Sequence, residues 1–299
     1  MERLDGGSAV PAPLRGGIVA LGNFDGFHKG HQAVVGRAVA RARAEGRPAL
    51  VATFDPHPMR FFKPDVPPFR LTTLDQRERL FAEAGADAML VFRFDADLAS
   101  VTAADFVADH LASRIGAAGV VTGEDFTFGK GRGGDVEVLK LLGQAQRISV
   151  DAVAPVADGE EPVSSSRIRE ALQAGDCATA TRLLTRPFAI ESVVEHGDKR
   201  GRELGFSTAN LALGTYLRPR FGVYAVRGHL PEGRIADGVA NLGIRPMFEA
   251  KELLEPWFFD FDGDLYGQTI EVPSRFQPHL RPPLRWRRAP NSPYPHREP

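Results

Sequence analysis

The sequence predicts two domains of different class. A doubly wound α/β domain with a parallel sheet is expected over residues 16–185, and a small all-β barrel over residues 186–280. Three observations predict this. Up to about residue 155, short apolar runs alternate with helical stretches, the pattern of strand-helix-strand crossovers onto a parallel sheet. After about residue 186 the runs are short, β-branched and aromatic, parted by Gly, Pro and Asp turns, with no convincing helix between them. The chain of 299 residues is also too long for one ordinary small domain.

The elements follow in order. Residues 1–15 are rich in Gly, Pro and Ala and are expected to fray. "GIVALG" (17–22), "ALVATF" (49–54), "AMLVFRF" (88–94), "AAGVVTG" (117–123) and "RISVDAVAPV" (147–156) read as strands. The first four are nearly continuous in apolar residues, as strands buried on both faces must be. Residues 31–45, 74–84 and 102–115 read as helices between them; in the last, Phe106, Val107, His110, Leu111 and Ile115 recur at helical spacing. Two short helices are expected at 166–174 and 176–184. The barrel strands are expected in "FAIESVVEHG", "FGVYAVRGHL", "IADGVANLG", "WFFDFDG" and "TIEVPS".

Composition excludes several classes. Hydrophobic content of 43% supports real cores, and a net charge of −1 carries no general basicity for nucleic acid. No apolar stretch approaches a membrane span, and the N-terminus has no apolar signal region. One cysteine, Cys177, forms no internal disulfide and suits a reducing compartment. A cytoplasmic protein acting on small molecules is expected.

"GNFDGFHKGH" (Gly22–His31) lies where the first buried strand runs into a helix. Ligands of open α/β sheets sit beyond the strand carboxyl ends, and a helix N-terminus attracts phosphate. Gly22, Gly26 and Gly30 permit tight turns and close approach of an anion. His28 and His31, at i and i+3, point the same way and can donate to phosphate oxygens. The plainer reading is two histidines capping a turn; a zinc reading lacks a third ligand at usual spacing. "VSSSRIREAL" (163–172) places Ser164, Ser165 and Ser166 before a helix, then Arg167 and Arg169. A serine there is first of all an N-cap, yet hydroxyls plus arginine also make a polyphosphate clamp.

Together these segments resemble the HxGH and ISSTxxR signatures of the nucleotidyltransferases, with Val163 for Ile and Ser166 for Thr. With "TFDPHP" (53–58) and "GEDFTFGKGRGGD" (123–135), the chain resembles the bacterial bifunctional FAD synthetases from about residue 16 to 272. The resemblance implies a Rossmann-like domain that adenylylates FMN to FAD with release of pyrophosphate, and a barrel that phosphorylates riboflavin to FMN. ATP, riboflavin, FMN and FAD are then substrates or products, and Mg²⁺ the metal. It implies catalytic roles for His28, His31 and Arg169. ATP phosphates would meet Gly22, Asn23, Asp25, Gly30, Ser165 and Ser166. The flavin would lie against Phe54, His57, Pro58, Asp125 and Phe126, though buried aromatics are more often plain core.

In the barrel, "HGDKRGRELGFSTANL" (196–211) resembles the kinase's phosphate loop. Gly197, Lys199, Arg200, Gly201 and Arg202 would hold ATP, and Thr208 and Asn210 would ligate Mg²⁺. Ser207 stands where the family has proline, and Met247 where it has threonine. Glu255 matches the catalytic glutamate; it could also be an ordinary edge-strand acid. An alternative reading keeps only an adenylyltransferase, for FMN or another phosphate, with the β domain a flavin- or nucleotide-binding module impaired as a kinase. Residues 281–299 hold six prolines, five arginines and one acid, and no helix can run through that spacing. A reading-frame change after about Val272 is expected to have replaced the native terminus. It would leave a disordered tail, an under-closed barrel and a weakened kinase. A natural basic tail is the alternative.

Overall fold

The structure, a computed structural model, describes residues 1–195, 209–245 and 251–276. By contact the chain divides into two units: Met1–Glu191 with Leu213–Pro219, and Ser192–Ala212 with the chain from Arg220 onward.

The first unit is built on a six-stranded sheet: β1 (Glu2–Asp5), β2 (Ile18–Leu21), β3 (Ala49–Asp55), β4 (Ala88–Arg93), β5 (Gly119–Gly123) and β6 (Ser149–Val153). The order is β1-β4-β3-β2-β5-β6, and every pair is parallel. This is the doubly wound, Rossmann-like layout that the alternation predicts. Continuous apolar strands are required because both faces are covered. Val19, Leu21, Leu50 and Leu90 pack on one face with Phe106, Leu111 and Ile115; Ile18, Ala20, Val51 and Met89 pack on the other with Val35, Val39 and Phe81. Chain order reverses between β2 and β5, so the switch point opens beyond Leu21 and Gly123.

The helices are α1 (Lys29–Glu45), α2 (Pro58–Phe62), α3 (Leu74–Glu83), α4 (Ala96–Ser100), α5 (Ala103–Asp105), α6 (Val136–Ala145), α7 (Ser165–Ala174) and α8 (Cys177–Leu184). After α5 the helix widens into π-type turns over Phe106–Ile115, which keep the expected five residues buried. Helix α6, capped by Asp135, is unanticipated in the sequence. A two-residue hairpin, β7 (Ala157–Asp158) and β8 (Glu161–Pro162), precedes α7.

The N-terminal expectation is corrected. Residues 2–5 do not fray: they add an edge strand to β4, with Leu4 against the core and Arg3 bridging Asp75 and Glu78 at 2.5 Å each. Glycine and proline content marked the turns that follow this strand and hid its four residues.

The second unit is a closed antiparallel barrel of β9 (Phe188–Glu195), β10 (Asn210–Ala212), β11 (Gly222–His229), β12 (Ile235–Arg245), β13 (Lys251–Phe258) and β14 (Thr269–Phe276). Leu211, Tyr224, Leu242, Leu254 and Val272 are fully buried. The barrel is therefore a filled core. Strand β13 ends at Phe258, so "DFDG" is a turn and the strand lies earlier than the sequence reading put it.

The expectation of an under-closed barrel is also corrected. Strand β14 runs through Val272 to Phe276 and pairs with β11, Ser274 opposite Val226 and Phe276 opposite Ala225. A bulge between those two pairs leaves Arg275 without an opposite residue on β11. Residues 281–299 lie outside the described residues.

Leu90 fills the middle of the first unit's core with no exposure. Leu90→Ala is expected to cost about 2–5 kcal/mol of unfolding free energy. Urea denaturation followed by circular dichroism measures it; a loss below 1 kcal/mol would contradict the packing described.

Candidate active site

The loop after β2 is shaped by the chain's own backbone demands. Phe24 and Phe27 have positive φ (50° and 43°), and each buries its ring against Phe81 at 5.8 and 5.1 Å. Gly26 (φ 87°) must be glycine, because a Cβ there would stand 2.8 Å from Leu71 Cδ1. Arg186 fastens the turn by donating to the carbonyls of Gly26 and Phe27 at 2.8 and 3.3 Å. Gln32 Nε2 donates to the Phe27 carbonyl at 2.9 Å.

His28 ends the loop as N-cap of α1, its Nδ1 accepting from the His31 N–H at 3.4 Å. The two imidazoles stack, centroids 3.6 Å apart and 19° between planes. Phe24 meets His31 edge-on at 5.4 Å. Burial pushes His28 down to about 4, opposed by Asp25 and assisted by Arg169 and Arg186. Burial, with His28 and Arg169 nearby, holds His31 well below its usual value. Both imidazoles are thus neutral in the ligand-free protein at pH 7. His31 Nδ1 and Asn23 Oδ1 are buried without a hydrogen-bond partner.

Asp25 is consumed internally. Its carboxylate accepts from the N–H of Leu71 at 2.9 Å, the N–H of Thr72 at 3.1 Å and Arg169 Nη2 at 2.7 Å. Arg169 also donates to the Phe69 carbonyl at 2.8 Å and lies 5.1 Å over the Phe69 ring. Ser165 Oγ donates to the Asp25 carbonyl at 2.9 Å, and Ser164 caps α7. Arg77, nearly unexposed, donates to the Asn23 carbonyl at 3.2 Å and to Thr53 Oγ1 at 2.8 Å.

A cavity of about 1100 Å³ opens at the switch point. Of the residues singled out in the sequence, Gly22, Asn23, His28, Gly30, His31, Ser165, Phe54, Pro58, Asp125 and Phe126 line it. Asp25, Arg169 and His57 do not: the first two bind each other, and His57 caps α2 by accepting from the Met59 N–H at 3.1 Å. Ser166 is exposed and stands outside the lining. Phe62, Phe94, Leu98, Phe128, Lys130 and Arg132 line the cavity without having been singled out. The Phe126–Gly134 run held a readable signal in its closely spaced glycines and cations; the others lie in short elements with no period to read. One end of the cavity is aromatic, and the other is built from two helix N-termini with histidines and hydroxyls. That division suits a planar ring joined to phosphates.

In the barrel, Glu255 and Asn241 face each other across β13 and β12 on the outer surface, Asn241 Nδ2 donating to Glu255 Oε2 at 3.4 Å. Asn210 on β10 is buried, and the Leu211–Leu254 register carries β10 alongside Glu255's strand. Gly197, Lys199, Arg200, Gly201, Arg202, Thr208 and Met247 lie outside the described residues.

Fold and site together define a nucleotide-binding α/β unit of HxGH type followed by a riboflavin-kinase-type barrel. The family model described as FAD synthetase matches residues 10–167, and the one described as riboflavin kinase matches residues 184–289. Bifunctional riboflavin kinase/FMN adenylyltransferases are similar over most of their length. The protein from Escherichia coli K12 is 38% identical over 262 residues, 87% of this chain and 84% of that protein. The Pseudomonas fluorescens protein is 40% identical over 260 residues (86% and 83%), and that of Bacillus subtilis 36% over 263 (85% and 82%). A crystal structure of a macrolide-efflux protein from Streptococcus pneumoniae superposes with a TM-score of 0.81 at 31% identity, covering 93% of this chain and 91% of that one. Among the described residues no helix is long and apolar enough to cross a membrane. The chain belongs to the bacterial bifunctional FAD synthetase family, which joins a riboflavin kinase to an FMN adenylyltransferase.

The histidines give the first unit a pH dependence with a definite sign. Burial holds His28 and His57 at about 4, whereas an unfolded chain titrates near 6.5. Below about 6.5 the unfolded chain therefore binds protons that the folded one does not, and stability falls as pH drops from 6.5 toward 4. Urea midpoints at pH 7 and pH 5 are expected to differ, and the double substitution His28→Asn, His57→Asn to narrow the gap. An undiminished gap in the double variant would assign it to other groups.

Proposed function

We propose that the cavity of the first unit is where FMN is adenylylated and that the outer face of β13 is where riboflavin is phosphorylated. The family membership gives the two activities; the observation that carries the first placement is the stacked, neutral His28–His31 pair at the phosphate end of an aromatic-ended cavity.

A phosphate monoester is already ionised at neutral pH, so adenylyl transfer requires no general base. An FMN phosphate oxygen attacks the α-phosphorus of ATP. The bond from that phosphorus to the bridging oxygen breaks, and pyrophosphate leaves with the electron pair. The protein's tasks are to hold two anions in line and to meet charge as it builds. His28 and His31 supply donors whose proton affinity rises as phosphate approaches, since an added anion reverses the effect of burial. Ser165 and the first N–H groups of α7 face the same end. Asp25 and Arg169 act as positioning residues, fixing the loop against α7. Phe54 and Phe126 offer ring faces for the isoalloxazine, beside Pro58 and Asp125.

At the barrel, Glu255 orients or deprotonates the riboflavin 5′-hydroxyl for transfer of the γ-phosphoryl group. The buried amide oxygen of Asn210 suits a hard divalent cation, and Thr208, outside the described residues, completes an all-oxygen donor pair. Together they would hold Mg²⁺, which would supply neutralisation of phosphate charge there. Asn241, donating to Glu255, keeps the carboxylate aimed along its strand row.

Two variants test the separation. His28→Ala with His31→Ala is expected to lower FAD formation from FMN by about 10²–10³-fold per lost donor and to spare riboflavin phosphorylation. Glu255→Gln is expected to lower FMN formation by about 10²–10⁴-fold and to spare FAD formation from supplied FMN. Chromatographic resolution of riboflavin, FMN and FAD reads both. Equal loss of both activities in either variant would overturn the assignment.

A further inference from the structure

Asp158, on the β7–β8 hairpin, is the meeting point of three cations from three helices. Arg182 Nε lies 3.1 Å from its Oδ2, Lys29 Nζ 3.4 Å from Oδ1, and Arg167 Nη2 3.5 Å from Oδ2. Arg167 Nε also meets Glu161 of the same hairpin at 3.0 Å. Three cations thus face two carboxylates, both delivered by one hairpin whose strands are two residues each.

Arg167 fastens the hairpin, donating also to the carbonyls of Asp158 and Glu161 at 3.3 and 3.4 Å, but that pinning does not explain the two further cations. One such ion pair at the protein surface adds little stability, and crowding three cations around a single carboxylate costs mutual repulsion. Lys29 and Arg167 stand in the first turns of α1 and α7, where the helix end already disfavours positive charge. Neither helix has an acid in its first turn, whereas α3, α4 and α6 carry Asp75, Asp97 and Glu137 there. The cations have been gathered against local preference.

Their position supplies the reason. Lys29 follows His28, and Arg167 follows Ser164 and Ser165; His28, Ser164 and Ser165 line the cavity. So do Val156 and Pro162 at the two feet of the hairpin. The cluster therefore adjoins the phosphate end through its neighbours in the chain, its own three cations standing just outside the lining. We infer that Lys29, Arg167 and Arg182 form a subsite for the terminal phosphates of ATP and the pyrophosphate they become, and that Asp158 holds their place in the ligand-free protein.

The inference rests on the adenylyltransferase reading of this unit. A carboxylate and a phosphoryl group offer the same kind of acceptor oxygens to guanidinium and ammonium donors, so either satisfies the cluster. Both cannot, because the carboxylate would repel the incoming phosphates. The hairpin turns at Gly159 (φ 71°) with open space around it, and has only two residue pairs to separate. Asp158 is thus a competitor of the ligand, which fixes the sign of its removal.

The test uses the full chain, inorganic pyrophosphate as probe in calorimetry, and turnover of FAD with pyrophosphate to FMN and ATP. Asp158→Asn is expected to tighten pyrophosphate binding by about 3–10-fold, since it removes the competing charge. Arg182→Gln, at a half-exposed side chain, is expected to fold normally and to weaken binding by about tenfold or more. The KM for FMN is expected to stay unchanged in both. A merely structural cluster predicts the reverse for Asp158→Asn: a lower melting temperature with pyrophosphate binding weaker or unchanged. That result, or unaltered binding in Arg182→Gln, overturns the subsite while leaving FAD formation intact. A parent chain that makes no FAD from FMN overturns the adenylyltransferase reading together with the subsite.

Discussion

The Asp25 carboxylate is the constraint on which the first unit's site depends. It sits in a loop that leaves β2, yet it accepts from the backbone of Leu71 and Thr72 and from Arg169 on α7. Three segments distant in sequence are thereby fixed to one buried anion. Its burial is sustainable because charge-assisted donors surround it, and breaking such a pair leaves an uncompensated charge at a cost of about 3–5 kcal/mol. The positive φ at Phe24, Gly26 and Phe27 is held in place by the same anchoring, together with Arg186 and Gln32. Without that clamp the stacked histidines would have no fixed position.

A second consequence is electrical. The clamp's two charges act on His28 in opposite senses, Asp25 raising and Arg169 lowering its proton affinity, and burial outweighs both, while His31 feels burial and nearby cations. Both are kept neutral. A neutral pair costs little to hold together in a ligand-free protein, whereas two imidazolium rings at 3.6 Å would repel strongly. Phosphate changes that balance by bringing its own negative charge. On the proposed reading, the site becomes charged only when occupied.

Much of this was legible in the sequence, for identifiable reasons. Strands buried on both faces write themselves as apolar runs, and β2 to β6 follow that reading closely. The histidines and the Ser164 cap sit where local pattern put them, whereas Glu255 was marked by resemblance alone and its strand lies earlier than the pattern put it. What was hidden depends on distant partners. Arg169 and Asp25 carry the family signature, but only the fold reveals that they face each other instead of the cavity. Strand β1 is four residues long and exists because β4 offers an edge. Lys130 and Arg132 were visible as residues, while their place on the cavity wall comes from a turn anchored by the Lys130 N–H donating to the Val101 carbonyl at 2.7 Å.

The engagement of Arg169 has a further bearing on how phosphate charge can be met. An arginine bound by a buried aspartate contributes little net field at the cavity, since the pair is neutral overall. Polyphosphate charge has to be balanced by cations with charge to spare. Lys130 and Arg132 are exposed on the cavity wall, and the hairpin cluster carries three cations against two acids. On the proposed reading, charge used for architecture and charge used for ligands are separated in space: Asp25 and Arg169 satisfy each other beneath the loop, and the excess lies at the rim. A clamp whose two charges satisfy each other lets the loop stay rigid while the rim responds to what enters.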